Sequence, residues 1–245
     1  MALNKEQKKW VEMQLKAHKH LKYEVNIKLD QKNILERFSV HSNVLRPDKM
    51  TALVLAKWLF QNKNLYFNKV VIDMGCGSGI QGVVMGVYGA KKIIFTDLSS
   101  AAINNAKKNI NRFNLKYKSE LLRGDLFEKV KEKVDIIVFN HPFFPDDPKE
   151  ELLVSKAMLD NGKLIQRFLE DAKRYLNPWG MIIMPYFHLA GIINNPEVQA
   201  LKHNYKIIEV FRENIKKGLQ KGMVSIYEIY PRNFKTVHHR VNSLE

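Results

Sequence analysis

Cysteine is nearly missing from this 245-residue chain, with Cys76 standing alone. A single thiol excludes an internal disulfide and any metal centre built on a cysteine cluster, and it fits a reducing compartment. No apolar run comes near the roughly 18 residues needed to cross a bilayer, and the opening Met-Ala-Leu-Asn-Lys-Glu-Gln-Lys-Lys leads into no apolar signal core. A cytoplasmic protein without a membrane partner is expected. Low-complexity stretches and repeats of about 20 to 50 residues are also absent, so the whole chain is expected to fold. Acidic residues are scarce: 25 Asp and Glu stand against 40 Lys and Arg, a formal charge of +15. That excess favours a polyanionic partner through counterion release, with RNA or the ribosome the natural candidate. The basic residues are scattered, which leaves a plain solvated surface as the other reading; 107–133 and 202–240 are the richer stretches.

What is present alternates. Residues 5–22 carry Trp10, Met13, Leu15 and Leu21 among lysines at helical spacing, which predicts one amphipathic helix laid on the core. Tyr23 to Leu29 alternates as a strand does, Pro47 interrupts, and a helix is predicted over 49–61. Strands then read at 69–74, 92–96, 119–122, 134–139 and 180–184, with helices from Ile80, over 99–113 and over 163–175, the repeat of a parallel sheet. Two more strands, 205–211 and 224–230, are joined by a segment short enough for a hairpin, so the last strand is expected to run antiparallel. The division expected is a helix and strand extension over 1–45, one α/β domain over 46–234 and a tail over 235–245. Trp10 and Trp58 read as core, and His238 and His239 in the tail have no matching ligands nearby; no metal is expected.

A buried strand, Val70-Val-Ile72, delivers Asp73 and then Gly75, Gly77 and Gly79 directly before a helical pattern. Such a loop lets backbone approach a ligand closely. Alone it is ambiguous, because Gly77-Ser-Gly79-Ile-Gln-Gly82 also satisfies the dinucleotide fingerprint of NAD enzymes. The second strand ends at Asp97, where a carboxylate can accept from both hydroxyls of a ribose, and Gly124-Asp125-Leu126-Phe127 follows the third, where an acid and an aromatic can meet an adenine. Asp97 and Asp125 as mere helix caps is the plainer alternative. As a set these segments resemble the S-adenosylmethionine-dependent methyltransferases. That resemblance implies an α/β, Rossmann-like fold with a seven-stranded, mostly parallel sheet, an antiparallel last strand, helices on both faces and a short N-terminal helical extension. It also implies S-adenosyl-L-methionine as cofactor, with Asp73, Gly75, Gly77 and Gly79 around its methionine half, Asp97 at the ribose and Asp125 at the adenine; Leu126 and Asn140 count with the cofactor-binding residues.

Asp135-Ile-Ile-Val-Phe-Asn140-His-Pro-Phe143-Phe-Pro145 ends an apolar strand in an amide, a proline turn and aromatics, a combination that invites a flat ligand to stack. It resembles the Asn-Pro-Pro-Tyr/Phe box of enzymes that methylate a planar nitrogen. By that resemblance Asn140 accepts the amino hydrogens and Phe143 is the stacking platform. His141 replaces the first proline; it is either a proton acceptor, since its intrinsic pKa suits transfer near neutrality, or a packing residue. Phe38-Ser-Val…Val44-Leu-Arg-Pro-Asp48 and Asp160-Asn-Gly-Lys163 resemble segments of release-factor glutamine methyltransferases, while the same core serves rRNA N-methyltransferases. Tyr186-Phe-His188 either line the substrate mouth or pack beneath a helix near Ile192. The expected activity is N-methylation of a translation component, protein glutamine or RNA base. A small-molecule N-methyltransferase, an NAD-binding enzyme and a non-catalytic basic RNA-binding module remain as alternatives.

Overall fold

The computed structural model describes residues 3–17, 22–147, 157–217 and 220–232. The first helix, α1 (Lys5–Ala17), covers the pattern expected over 5–22 as far as Ala17, and 18–21 lie outside the described residues. A hairpin follows, β1 (Tyr23–Lys28) with β2 (Ile34–Val40). Its second strand is absent from the sequence reading, although the turn was written in the chain. Asp30 Oδ1 accepts from the backbone N–H of Lys32 and Asn33, the local side-chain turn that aspartate favours.

After α2 (Met50–Gln61) the chain alternates as expected: β3 (Val70–Met74), α3 (Ile80–Val87), β4 (Lys92–Asp97), α4 (Ser100–Arg112), β5 (Ser119–Arg123), β6 (Val134–Phe139), α5 (Lys163–Tyr175) and β7 (Leu176–Phe187). A short helix, α6 (Pro196–Lys202), then precedes β8 (Tyr205–Lys217) and β9 (Gln220–Pro231). The helix expected near Ile192 is α6, which starts four residues later, where the signals stand: Asn195 caps Glu197 N–H at 2.9 Å and Pro196 takes the first turn.

The main sheet has seven strands in the order β5-β4-β3-β6-β7-β9-β8. Neighbours from β5 to β7 are parallel, and β9 runs antiparallel to both β7 and β8. The segment read as a hairpin connection is itself largely ladder, paired out to Lys217↔Gln220. Strand order reverses between β3 and β6, so the carboxyl ends of these two strands form the crevice where open α/β sheets hold ligands. The strands of that centre are near-continuous runs of Val and Ile with almost no exposure, as sheets covered on both faces require.

The N-terminal segment packs on this core. Trp10 of α1 rests 4.9 Å from the Phe144 ring and 5.3 Å from that of Phe187, and Gln7 Nε2 donates to the Leu189 carbonyl. Trp58 is buried in α2. Tyr186 and Phe187 are buried as well, and Tyr186 donates its hydroxyl to the Gly191 carbonyl. Of the two readings of this triplet, packing holds for these two residues, because β7 runs through the middle of the sheet as far as Phe187. Residues 235–245 lie outside the described residues, and no described helix is long and apolar enough to cross a membrane.

Candidate active site

The loop after β3 is a left-handed path that glycine alone takes without strain: φ is +58° at Gly75, +54° at Gly77 and +81° at Gly79. Asp73 is buried beneath it, and its Oδ2 accepts from Gly82 N–H at 2.8 Å. Burial, with the Asp97 charge nearby, pushes the Asp73 carboxyl up to about 8. Asp97 ends β4 and turns its two oxygens to Gly77 N–H at 2.9 Å and Ser99 N–H at 2.8 Å; burial raises its pKa too. Thus Asp97 holds the glycine turn at Gly77, and Asp73 holds the start of α3 just beyond it. Val44, from the segment before α2, covers the loop: a Cβ on Gly77 would lie 3.6 Å from its Cγ1.

Two asparagines absent from the sequence reading hold that cover in place. Asn105 and Asn109, both fully buried on α4, donate to the Ser39 carbonyl, and Asn109 Nδ2 also reaches the Ser78 carbonyl at 2.9 Å. The signal for them was a pair of amides four residues apart on the face that also carries Ala102, Ala106 and Ile110.

Asp125 follows β5 and forms an ion pair with Arg167 of α5. Leu126 beside it has φ +47° and is half-buried. The aromatic expectation here is corrected. Phe127 is buried and stacks on Tyr175 at 4.5 Å and 6° and on Phe168 at 5.6 Å. Its ring is spent on the packing of α5 and does not face the site, because burying an aromatic against two others outweighs leaving it free at a rim.

The box after β6 sits beside the loop. Met74 of β3 pairs with Phe139, whose ring would lie 3.2 Å from a Cβ on Gly75. Asn140 comes next, and its Oδ1 is buried with no hydrogen-bond donor. His141 is 2% exposed, with Nε2 2.7 Å from the Asn194 carbonyl, and burial pushes its pKa down to about 4. The Phe143 ring is edge-on to His141 at 5.0 Å and to Tyr186 at 5.6 Å, and only 8% exposed. His188 stands half-buried past β7, bonded to Ser225 Oγ at 2.8 Å. The structure therefore brings Asp73, Gly75, Gly77, Gly79, Asp97 and Asn140 to one crevice, with Asp125 and Leu126 on the next loop along the sheet.

The sequence model of the methyltransferase small domain matches residues 32–209. The chain belongs to that family. S-Adenosylmethionine is accordingly its cofactor, which decides between the two fingerprints that the glycine loop satisfies. The chain is 33% identical over 159 residues to a release factor glutamine methyltransferase of Borreliella burgdorferi, a match covering 60% of this chain and 54% of that one. It is 28% identical over 166 residues to a ribosomal protein L11 methyltransferase of Thermosipho africanus, covering 68% and 51%. It thus spans about half the length of these relatives. Among solved structures, a T. thermophilus 16S rRNA methyltransferase in complex with AdoMet and guanosine superposes with a TM-score of 0.60 at 18% identity, over 87% of this chain and 51% of that one; this likeness speaks to fold. For this methyltransferase small domain the cradle fits the cofactor: a backbone path reserved for glycine, with the buried Asp73 bonded just beyond it at Gly82 and the half-buried Asp97 bonded to it at Gly77.

Proposed function

We propose that this chain transfers the methyl group of S-adenosylmethionine to a planar amino or amide nitrogen in a translation component, a protein glutamine or an RNA base. The observation that carries the reading is the buried Asn140 Oδ1 without a donor. Leaving such an acceptor unpaired costs roughly 1–3 kcal/mol, a penalty relieved when an N–H group arrives. The glycine loop with Asp73 and Asp97 holds the cofactor, with Asp125 and Leu126 toward its adenine. The cofactor supplies an electrophilic methyl on a sulfonium sulfur.

Asn140 Oδ1 accepts a hydrogen bond from one N–H of the acceptor group, which fixes the plane of that group and so the direction of its nitrogen lone pair; the N–C bond would form as the methyl–sulfur bond breaks. Phe143 is the flat contact beside it. The gain is one of proximity and orientation. His141 does not take the proton in this reading: its Nε2–H is committed to a carbonyl, and burial holds the ring pKa down to about 4, so the unpaired Nδ1 is too weak a base, and the proton that the methylated nitrogen loses passes to water. The formal charge of +15 supports a macromolecular acceptor, as do the names of the glutamine and ribosomal protein methyltransferases that the chain resembles.

The test is transfer of labelled methyl from S-adenosylmethionine into a cell extract divided into RNase-treated, protease-treated and small-molecule fractions. Label that one of the two enzymes removes is the expected result. Cofactor binding with no label in any fraction defeats the reading, and label in small molecules alone moves the acceptor to a metabolite.

A further inference from the structure

The reaction box is fastened to a residue some fifty positions downstream. His141 Nε2 lies 2.7 Å from the Asn194 carbonyl, and Asn194 Nδ2 donates back to the Phe143 carbonyl at 3.0 Å and also to that of Asp160. Residues 141 and 143 are thereby tied to one partner, the first through its ring and the second through its backbone. A carbonyl has no proton to offer, so Nε2 carries the hydrogen and the ring sits as the neutral Nε2–H tautomer, assigned from this bond. Asn194 has no exposed surface.

The anchor is itself held at both ends. Tyr186 donates its hydroxyl to Gly191 O at 2.7 Å, Gln199 Nε2 donates to Ile193 O at 2.6 Å, and Asn195 caps α6. Asp160, the other residue gripped by Asn194, bonds its own N–H to the Phe144 carbonyl at 3.0 Å, so the box is braced along 141–144.

We propose that His141 and Asn194 form a positioning latch that stiffens the box and fixes the angle at which the Asn140 amide meets the acceptor N–H. This rests on the proposed N-methyl transfer at Asn140. A proline at 141 would lock that φ covalently. Histidine leaves the torsion free, and the ring bond to Asn194 with the return bond to Phe143 restores the restraint. Neither residue touches the reacting atoms; both act through Asn140.

The test uses His141→Leu and Asn194→Leu, which remove the donors at similar volume, and His141→Gln, whose amide can donate as the ring does. Backbone amide exchange, cofactor affinity and the initial rate of labelled methyl transfer into a cell extract are measured on the full chain. In both leucine variants, amides of 141–146 exchange roughly tenfold faster while those of β3 and β4 keep their protection. Transfer slows by roughly 10- to 100-fold with cofactor affinity within about twofold of wild type. His141→Gln restores most of the rate and keeps the wild-type pH profile between about 6 and 9, a rescue that a merely space-filling role would not give. Wild-type exchange in both leucine variants overturns the latch, and so does loosened exchange with unchanged transfer or a glutamine variant as slow as the leucine one. If Asn194→Leu does not fold, the two His141 variants decide. Should the wild-type chain label nothing, the proposed function fails, and local loosening of 141–146 with intact cofactor affinity, or its absence, decides the latch alone.

Discussion

The carboxylate of Asp73 accepts the backbone N–H of Gly82 at 2.8 Å, and so fastens the end of β3 to the first turns of α3 across the glycine loop. The bond is made in a space that water does not reach, and the carboxyl is pushed up to about 8.

A pH dependence follows. The native state binds this proton more tightly than the unfolded chain, whose carboxyl titrates near 3.8. The associated stability is fully present below that value and is lost as the pH rises toward about 8. Asp73→Asn keeps an oxygen for Gly82 and removes the charge. In cofactor-free thermal melts the variant should gain on wild type by more than about 3 °C between pH 5 and 8.5; a gap that stays constant with pH would contradict the assignment.

Two glycines of the same region separate packing from strain. A Cβ at Gly82 would stand 2.2 Å from Phe95 Cε1, whereas at Gly77 it meets only Val44 at 3.6 Å, with φ at +54°. Gly82→Ala overpacks the contact between α3 and the sheet and should cost about 1–3 kcal/mol in urea unfolding. Gly77→Ala strains the backbone by roughly 1–2 kcal/mol and should show the greater loss of S-adenosylmethionine affinity by calorimetry. Equal cofactor affinities in the two variants would remove the loop from the binding site.

Asn140→Ala deletes an acceptor that has no donor. It should leave the melting temperature unchanged or slightly raised, keep cofactor affinity, and lower methyl transfer by about 100-fold or more. A variant that transfers methyl at the wild-type rate would refute the role of the amide.

Arg167 holds the Asp125 carboxylate in an exposed pair, with side chains 54% and 40% accessible. Pairs of that kind contribute about 0–1 kcal/mol, so Arg167→Ala should barely move stability. If Asp125 serves the adenine, freeing it leaves cofactor affinity equal or higher, while Asp125→Asn lowers it. Titration calorimetry on both variants distinguishes this from a carboxylate that only pairs with α5, for which Asp125→Asn would bind cofactor as wild type does.

The parts of the site legible in the chain are those made by neighbours in sequence. Val70 to Gly79 announces a strand, an acid and a glycine turn within ten residues. Phe139 to Phe143 does the same for the box, and Asp97 lies at the end of its own strand. Strand period, glycine spacing and proline are local properties, and local sterics are enough to read them. The missed hairpin strand β2 carried a local signal too, in Asp30 to Asn33, and Asn195-Pro196 marks the start of α6, which the expectation of a helix near Ile192 placed a few residues early.

Other features carried no local sign of their partners. Asn109 looks like any helical amide until α4 packs against β2 and its side chain meets the carbonyls of Ser39 and Ser78. Asn194 sits in the loop before α6, where the sequence suggested only a helix nearby, and Phe127 lies in a motif that promises an adenine contact. Which buried carbonyl needs a donor, and which ring finds two others to stack on, depends on segments tens of residues apart being brought together. The chain by itself determined the alternation of strands and helices from Val70 to Tyr175 and the place of the glycine turn, because these follow from periodicity and backbone sterics. Only the tertiary structure decided that His141 is a buried donor held by Asn194, since burial and hydrogen-bond partnership belong to the packed arrangement and not to any stretch of sequence.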